Sequence, residues 1–486
     1  PAELSDGRSD RMTVRGKAGN TSYRFYSRNT DVDGFVDALG RNTPDDWNQR
    51  RAGFRIDIQP SERDIITVQG DAYKGQNQQT LSRFTLTAPY YEPYLDEGEL
   101  AGNNYLTRFT HKFSETSSAQ LQMYYDRTYR KDGLHEEERK TVDVDFQHNF
   151  AWGPKNKFVW GLGYRMSKDN LIGNEYIWFS LPSEKQYIYS WFVQDEIAVV
   201  PDRFKLILGA KVEDNYYTGY EIQPNVRALW GPNEKQTVWT AVSRAVRTPS
   251  RLELDCSRNE GVGYVTDEGV PVVYITTANP NLESEKLTAY ELGYRVQPSN
   301  KLSVDAAAFY NVYDDFRSYD AGIPYSVSLP TPHVVQPLLL NNSMNAKTYG
   351  LELSLNYKPR DNWRISAGYT GIKITMKEDP GHSDPVQATY AKDTPRNQFN
   401  IRSYWDLPNN LEFDTMIYYV GELPHYRVPA YTRVDLRLGW RPSKKIEYSV
   451  GVRNLLDSHH IEFGRTYTEL ATEVERKFYA KVTRRF

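Results

Sequence analysis

The amino-acid sequence is poor in cysteine, in long apolar runs and in any excess of basic residues. Cys256 is the single cysteine among 486 residues, which excludes an internal disulfide framework and a thiolate metal cage built within one chain. No apolar run approaches the roughly 18–20 residues that a membrane-spanning helix needs. Lysine and arginine total 60 against 63 aspartate and glutamate residues, and this balance argues against a nucleic-acid-binding protein.

Enzyme motifs are missing as well. The sequence contains neither G-x-S-x-G nor H-E-x-x-H, and Gly161-Leu162-Gly163 lacks the third glycine and the helix of a dinucleotide site. The eight histidines are scattered. Only His459 and His460 are adjacent, and adjacent side chains on a strand face opposite ways. The sequence therefore predicts no catalysis, no cofactor and no resident metal.

Tyrosine is abundant, with 37 residues beside 10 tryptophans, yet the mean hydropathy is only -0.70. A transmembrane barrel combines these features, because its strands need about 10 residues each and every second side chain can be polar. A large soluble β protein explains the same composition, so the order of the residues has to decide.

Apolar and polar residues alternate along most of the chain. In residues 351–357 the odd positions are apolar and the even positions are polar, and residues 66–72 alternate in the same way. In 432–440, Val434, Leu436, Leu438 and Trp440 share one face, whereas Arg433, Asp435 and Arg437 share the other. This period indicates strands with one apolar and one hydrated face.

The connections between these segments are of two kinds. Short polar turns rich in proline, glycine, asparagine and aspartate, which are turn formers, occur at 18–20, 59–62, 114–117, 153–156, 201–202, 231–234, 297–300, 359–362, 408–410 and 442–444. Longer irregular segments lie at about 75–103, 167–186, 248–283, 318–339, 377–393 and 457–475. Short turns at one end and long loops at the other are typical of an outer-membrane barrel with periplasmic turns and extracellular loops.

The predicted fold class is therefore all-β: a transmembrane antiparallel up-and-down β-barrel with about 21 strands present. Bacterial single-chain barrels have even strand numbers. The odd count thus indicates that one N-terminal strand is missing and that the intact barrel has about 22 strands. Residues 1–486 form one outer-membrane barrel domain in this interpretation.

The final alternating segment places Phe478, Val482 and the terminal Phe486 on one face. A last strand of this kind resembles the signal read by the outer-membrane assembly machinery, so these three are candidate assembly-signal residues. Arg484 lies on the same face, where such strands usually have a tyrosine or an aliphatic residue. Near the membrane interface its long side chain can reach water.

Four further segments carry a family resemblance. They are Ala278-Asn279-Pro280-Asn281-Leu282-Glu283 followed by Tyr290-Glu291-Leu292-Gly293-Tyr294, then 242–250, Thr348-Tyr349-Gly350-Leu351-Glu352 and Val452-Arg453-Asn454-Leu455-Leu456-Asp457. Their motifs, order and spacing resemble those of TonB-dependent receptors, and the resemblance spans nearly the whole chain.

The resemblance implies a monomeric receptor in bacterial outer-membrane lipid that imports a ferric siderophore or a similar small-molecule metal chelate. It also implies an N-terminal plug domain that fills the lumen, contacts the TonB complex and forms half of the ligand site. Alternating strands begin by about Arg11, so the plug is expected to be missing from this chain. Two alternatives stay open: a plugless passive outer-membrane pore, and a soluble β-rich glycan-binding module.

By the same resemblance, extracellular loops and the upper lumen wall capture the ligand. Aromatic rings and cations suit a flat anionic iron complex, through stacking and charge-assisted hydrogen bonds. The candidate ligand-binding residues are Tyr90, Tyr91, Tyr94, Tyr176, Trp178, Arg247, Arg251, Arg258, Tyr264 and Tyr274. Rim aromatics that form the interfacial girdle, and solvated loop charges, are the competing interpretation.

Two narrower ligand chemistries are less well supported. Haem receptors of this family place a histidine in the segment that corresponds to residues 251–278, which contains none here. Cobalamin receptors hold calcium with loop carboxylates, for which Asp31, Asp33, Asp45 and Asp46 are candidates, but a solvated acidic loop is the better interpretation of these four.

Overall fold

The computed structural model describes residues 7–37, 39–384, 391–464 and 472–484. Its strands are β1 (Gly7–Ala18), β2 (Thr21–Val32), β3 (Trp47–Ile58), β4 (Asp64–Phe84), β5 (Tyr91–Ser114), β6 (Ser117–Lys131), β7 (Glu136–Trp152), β8 (Asn156–Ile172), β9 (Ile177–Phe179), β10 (Lys185–Val200), β11 (Phe204–Asn215), β12 (Gly219–Asn233), β13 (Gln236–Arg247), β14 (Cys256–Val265), β15 (Pro271–Thr277), β16 (Glu285–Ser299), β17 (Leu302–Ala321), β18 (Tyr325–Val327), β19 (His333–Arg360), β20 (Trp363–Glu378), β21 (Asn397–Leu407), β22 (Leu411–Val420), β23 (Tyr431–Ser443), β24 (Ile446–Arg453), β25 (His459–Ile461), β26 (Glu473–Glu475) and β27 (Lys477–Arg484). A short helix, α1 (Arg251–Asp255), and a 3₁₀ turn, Pro408–Asn410, complete the described elements.

Among the described residues, 25 strands belong to a single sheet, and β25 pairs separately with β26. Four of the 25, namely β9, β14, β15 and β18, lie within long connections. The other 21 pair antiparallel, each with the next one along the chain. The predicted all-β up-and-down architecture is therefore confirmed.

The ten predicted short turns join alternate pairs of these strands at one end of the sheet. They occupy 19–20, 59–63, 115–116, 153–155, 201–203, 234–235, 300–301, 361–362, Pro408–Asn410 and 444–445. This is the turn end, and the opposite end is the loop end. Two loop-end connections, 132–135 and 216–218, are also short, so the contrast in length between the two ends is strong without being uniform.

Several segments predicted as loops are in fact mostly strand. Most of 75–103 is strand, because β4 continues to Phe84 and β5 begins at Tyr91. Within 318–339, β17 continues to Ala321 and β19 begins at His333. These strands contain 20 to 28 residues, well beyond the 9–11 that a bilayer requires. The hairpins therefore continue past the membrane. In these parts polar residues occupy both faces of the strands, so the apolar–polar alternation that predicts a strand is missing. Parts of 377–393 and 457–475 lie outside the described residues.

One face of the sheet is apolar and exposed. In β19, Tyr349, Leu351 and Leu353 are each 40% exposed. The same pattern recurs at Tyr187, Tyr189, Trp191 and Val193 in β10, at Tyr290, Leu292 and Tyr294 in β16, and at Tyr448 and Val450 in β24. Contiguous apolar surface on this scale requires an apolar partner, and the hydrocarbon core of a bilayer provides one. The helices of the described residues are too short and polar to cross a membrane.

The other face carries charge that is paired across strands. The guanidinium of Arg437 on β23 lies 3.0 Å from Glu412, 2.7 Å from Asp414 and 2.8 Å from Glu447. These carboxylates belong to the two neighbouring strands, β22 and β24. A charged face of this kind suits a hydrated lumen wall, because every second position on a barrel strand faces the interior.

At the loop end, the long connection between β13 and β16 extends the sheet sideways. Its strand β14 pairs antiparallel with β9, and its strand β15 pairs in parallel with β19. The connection therefore spans from the β8–β10 loop to the upper part of β19. Leu254, Leu282 and Leu340 form a small buried cluster beneath it, against which Tyr217 and Tyr319 pack.

A steric test of the sheet is available at Gly293 on β16, directly opposite Trp239 on β13. A Cβ added at Gly293 would lie 2.1 Å from the indole ring of Trp239. We expect Gly293→Val to lower the free energy of unfolding by about 1–3 kcal/mol, as overpacking typically does. Urea titration in detergent micelles measures this change. In a Trp239→Ala background the cost should shrink, and an undiminished cost would contradict the steric cause.

Candidate binding site at the loop end

The segment after β13 turns into α1 because its sequence supplies a complete helix start. The Ser250 hydroxyl accepts a hydrogen bond from the Glu253 backbone N–H at 3.4 Å, and the Glu253 carboxylate accepts one from the Ser250 N–H at 2.8 Å. This reciprocal capping box satisfies two backbone donors that a helix start leaves open. It also fixes the directions of Arg251 and Glu253, both of which are buried.

Glu253 holds two arginines from different strands. Its carboxylate accepts hydrogen bonds from Arg247 of β13 at 3.0 Å and from Arg317 of β17 at 2.9 Å. Glu285 at the start of β16 accepts a further bond from Arg247 at 2.5 Å. Three strands and α1 therefore meet at one ionic cluster.

Arg251 forms a second, more deeply buried cluster. Its side chain is 3% exposed, and its Nε lies 3.3 Å from Asp169 of β8 and 3.4 Å from Glu184. It also donates hydrogen bonds to the Asp255 carboxylate and to the Leu181 carbonyl. These contacts join α1 to the β8–β10 loop.

Burial and hydrogen bonding set the protonation states in this region. Burial alone would raise the pKa of Glu253, but the bonds from Arg247 and the Ser250 backbone hold it at about 2. Burial and a bond to Glu175 raise the pKa of Tyr176 to about 12. Burial raises the pKa of the Cys256 thiol to about 11. At neutral pH, Glu253 is therefore ionised, whereas Tyr176 and Cys256 are protonated.

A cavity of about 280 Å³ lies beneath this segment. It is lined by polar and apolar groups from the ends of β7, β8, β10 and β11 and from residues 248–252, including Glu137, Arg139, Arg165, Gln186, Tyr217 and Arg251. Arg139 pairs with Glu137 at 2.8 Å, and Arg165 pairs with Asp143 at 2.8 Å. Both arginine side chains remain partly exposed, 32% and 57% respectively. The wall can therefore offer charge-assisted hydrogen bonds to an anionic solute.

The ten sequence-predicted ligand residues fall into four places. Arg247 and Arg251 belong to the two ionic clusters. The guanidinium of Arg83 lies over the Tyr94 ring, 5.1 Å from the ring centroid. The rings of Tyr176 and Phe84 pack edge-on, with their centroids 5.8 Å apart. Because Arg83 and Phe84 are neighbours at the end of β4, these two tyrosines lie in one region.

The remaining predicted residues lie on the extended loop sheet and on the β4–β5 hairpin. Arg258 follows Ser257, the register partner of Trp178, where β14 meets β9. The rings of Tyr264 and Tyr274 lie 6.4 Å apart on β14 and β15. Tyr90 has a φ of 66° in the tip of the β4–β5 hairpin, next to Tyr91. The exposed aromatic members are Tyr91 at 41%, Trp178 at 41% and Tyr264 at 54%, and the side chains of Arg247 and Arg258 are 47% and 50% exposed.

Four residues of this region did not figure among the sequence candidates: Arg139, Arg165, Tyr217 and Arg317. Arg139 and Arg165 occupy polar positions in alternating strands near the loop end, which is a usable but unspecific signal. Tyr217 donates to Glu184 at 2.6 Å, and Arg317 reaches Glu253. Both contacts join residues more than 30 positions apart, so the local sequence carries no trace of them.

The other candidates have plain structural settings. Asp45 accepts hydrogen bonds from the Phe35 N–H and the Thr43 hydroxyl, so it stabilises its own loop. In the described residues, no group of three His, Cys, Asp or Glu side chains is arranged to hold a metal ion. Phe478 and Val482 on β27 are 78% and 67% exposed on the apolar face, and Phe486 lies outside the described residues.

The buried pairing of Arg251 predicts a local stability effect. Arg251→Met would remove the buried guanidinium that pairs with Asp169 and Asp255, leaving Asp169 with Arg139 at 3.8 Å. Removing one partner of a buried ion pair typically costs up to about 3–5 kcal/mol. We expect hydrogen exchange in 248–284 to accelerate accordingly. Arg258→Met is the matched control, because Arg258 pairs with Glu260 while 50% exposed, and exposed pairs contribute about 0–1 kcal/mol. Equal acceleration of hydrogen exchange in both variants would contradict the stabilising role assigned to the buried Arg251.

The low pKa of Glu253 predicts a dependence on pH. A carboxyl whose pKa is lower in the folded than in the unfolded state, about 4.3, stabilises the fold at higher pH, and this contribution is lost as pH falls toward the folded value. Amides of 250–256 should therefore be better protected in the wild type than in Glu253→Gln at pH 6, after correction for intrinsic exchange rates. The difference should vanish between pH 4.5 and about pH 2. A difference that persists at pH 2 would refute this origin.

Comparison with known proteins places this geometry in a family. The model of the TonB dependent receptor-like β-barrel matches residues 4–455. Two curated pesticin receptors, from Yersinia enterocolitica and Yersinia pestis, are 27% and 25% identical over 192 residues. These alignments cover 37% of this chain and 26% of each relative, so the chain matches only about a quarter of their length.

Solved structures agree over the entire chain. The siderophore receptor PirA from Acinetobacter baumannii aligns with a TM-score of 0.76 at 16% identity, covering 100% of this chain and 79% of that one. The ferric enterobactin receptor PfeA from Pseudomonas aeruginosa gives 0.76 at 15% identity, with the same coverage. The FrpB iron transporter from Neisseria meningitidis gives 0.74 at 13% identity, covering 99% and 80%. At these identities the likeness shows a shared fold.

The family model spans most of the chain, and the strand order, the two-faced sheet and the solved structures are consistent with it. The family consists of bacterial outer-membrane receptors rather than enzymes. This chain belongs to the TonB-dependent receptor-like β-barrel family and is a bacterial outer-membrane protein.

Proposed function

We propose that the protein imports a ferric siderophore or a similar anionic metal chelate across the outer membrane, driven through TonB. The observation that carries this proposal is the family match over residues 4–455, together with whole-chain structural likeness to receptors described as siderophore and ferric enterobactin receptors. The chelate is cargo, and no resident cofactor takes part.

The exposed members of the predicted set are the proposed ligand contacts. Tyr91, Trp178 and Tyr264 present aromatic faces at the loop end. Arg258 is the register partner of Ile177, so its side chain lies on the opposite face of the β9–β14 pair from Trp178. Flat chelates stack on such rings, and anionic oxygens accept hydrogen bonds from guanidinium groups. Tyr90, Tyr94, Tyr176 and Tyr274 form the surroundings of these contacts.

Arg247 and Arg251 have a different place in this proposal. Their guanidiniums are already paired with Glu253 and Glu285, and with Asp169 and Asp255, respectively. A ligand could reach Arg251 only after the segment had opened. We propose that these two arginines hold the loop in position and that the side chain of Arg247, which is 47% exposed, can also meet the ligand. The side chains of Arg139 and Arg165, 32% and 57% exposed, form the next part of the path in this proposal.

An N-terminal plug is the second part of the proposal. The aligned solved receptors are longer, since this chain covers 78–79% of them. A cavity of about 540 Å³ at the turn end, lined among others by Lys112, Lys157 and Glu196, would be in contact with such a domain. TonB would act on the plug.

The strand number supports the proposal of a further strand at the N-terminal side of β1. With 21 strands in an antiparallel order, β1 and β27 run in the same direction, and the described pairings join β1 to β2 and β27 to β24. One further strand between them would make the number even, as in bacterial barrels. We propose that this strand precedes β1 in the intact protein.

A binding experiment tests the proposal on the native mature protein in detergent. Titration with a ferric siderophore such as ferric enterobactin, followed by tryptophan fluorescence or calorimetry, should show saturable binding that the iron-free form does not match. Trp178→Ala should weaken binding about 2- to 10-fold, the range expected from loss of one stacked ring. Trp152→Ala is the matched control, because Trp152 is 72% exposed at the turn end and should leave affinity unchanged.

The same preparation tests the plug. Its intact mass should exceed that of this chain by about one domain, roughly 130–200 residues. A native chain without that excess, combined with steady ion conductance in planar bilayers, would contradict TonB-driven import and favour a passive pore. Absence of binding by a panel of ferric chelates, in a protein that does carry the plug, would contradict the chelate as cargo.

A further inference from the structure

Three lysines form a compact group on the apolar face of the sheet near the loop end. They are Lys347 on β19 and Lys373 and Lys377 on β20, and all three are exposed. In the strand register, Lys347 lies opposite Thr375, whereas Lys373 and Lys377 lie two residues to either side of Thr375. Lys347 is therefore a diagonal neighbour of both, at roughly 7–8 Å between Cα atoms.

The position of the group on the sheet is set by the two-residue period. Lys347 shares its face with Tyr349 and Leu351, and Lys373 and Lys377 share theirs with Tyr369; the three apolar residues are 40%, 40% and 36% exposed. The register of β19 and β20 is regular from Met344 to Tyr357, so no bulge reverses the faces. The lysines therefore stand on the membrane side of the wall and not on the lumen side.

A row of tyrosines indicates the position of the three lysines along the membrane normal. Tyr290, Tyr310 and Tyr349 lie side by side on β16, β17 and β19, with successive ring centroids 6.4 Å and 6.4 Å apart. Aromatic rows on the outside of a barrel lie at the boundary between hydrocarbon and headgroups. Lys373 is directly opposite Tyr349, and Lys347 and Lys377 are further toward the loops. The three ammonium groups can thus reach the headgroup layer of the outer leaflet.

The charges of this group are not compensated by neighbouring carboxylates. Lys373 Nζ lies 5.7 Å from the Tyr349 ring centroid, and within the described residues none of the three lysines forms an ion pair. Lys286, nearby on β16, shows the contrast, because it pairs with Asp315 and, at 3.5 Å, with Glu283. Asp314, on β17 next to Lys347, forms no ion pair in the described part of the chain. The three diagonal lysines outnumber the one neighbouring carboxylate, Asp314, so the group has a net positive charge that an anion from outside can neutralise.

We propose that Lys347, Lys373 and Lys377 bind the phosphate groups of a phosphorylated glycolipid of the outer leaflet, with Tyr349 packed beneath the sugar headgroup. The occupant is a lipid, because the site adjoins the apolar surface that contacts acyl chains, and its phosphates are complementary to the uncompensated ammonium groups. This assignment rests on the membrane orientation of the sheet and is independent of the cargo.

Native mass spectrometry of the detergent-purified full chain tests the proposal. Phosphorylated lipid A and its dephosphorylated form are added separately, and the bound fraction is measured. The wild type should retain phosphorylated lipid A, and Lys347→Gln/Lys373→Gln/Lys377→Gln should bind it more weakly by on the order of 100-fold. The dephosphorylated lipid should bind wild type and variant equally. Inorganic phosphate at the same concentration should not displace the lipid.

Two further variants make the outcome decisive. Lys155→Gln/Lys444→Gln/Lys445→Gln removes three exposed lysines at the turn end and should retain the lipid like the wild type. The triple lysine-to-arginine variant at 347, 373 and 377 should restore binding if the glutamine variant has lost it through loss of charge. The proposal is overturned if the glutamine variant binds phosphorylated lipid A within twofold of the wild type, if the turn-end control loses as much, or if arginine fails to restore binding in a folded protein.

Discussion

The hydrogen-bond ladder between antiparallel strands is the constraint on which the rest of this structure depends. In a bilayer, no water satisfies an exposed backbone N–H or C=O group, so each must bond to a neighbouring strand. The pairing of 21 successive strands meets this requirement along the wall. It also fixes the side-chain period at two, and this period divides the wall into an apolar face toward lipid and a charged face toward the lumen.

The backbone structure at the two ends of the strands, outside the membrane, determines where the functional groups lie. At the turn end the strands reverse within a few residues and carry little chemistry of their own. At the loop end the backbone is free to form α1, the extended sheet of β9, β14, β15 and β19, and two ionic clusters. Arg251 and Glu253 are buried within these clusters, and the solute contacts that we propose are aromatic and cationic groups that remain exposed.

The wall was predictable from the sequence because it obeys a local rule. The alternating pattern and the turn-forming residues predicted all ten turns and the number of strands. Each of these signals is carried by residues that are close together in the sequence. The loop end was less predictable. Residues 75–103 form a hairpin through cross-strand pairing, but their sequence lacks the alternating pattern that would have predicted strands. The parallel pairing of β15 with β19 joins residues about 60 positions apart.

The difference between local and long-range contacts also explains which residues of the candidate site the sequence could predict. The aromatic candidates were found because residue type and loop position are visible in the sequence. The burial of Arg251 and the roles of Tyr217 and Arg317 were not visible, because each depends on partners brought together by the fold. The capping box from Ser250 to Glu253 is the exception: it is a local motif, and it could have indicated that residue 251 begins a helix.

The central claim is that successive side chains of one strand alternate between lipid and aqueous lumen, and spin labelling tests this directly. Cys256 is replaced by serine, and single nitroxide labels are placed at each position from 351 to 356 in lipid nanodiscs. The account predicts that accessibility to oxygen is high at 351, 353 and 355, and that accessibility to a water-soluble nickel complex is high at 352, 354 and 356. Uniform accessibility to the nickel complex, or a reversed pattern, would contradict it.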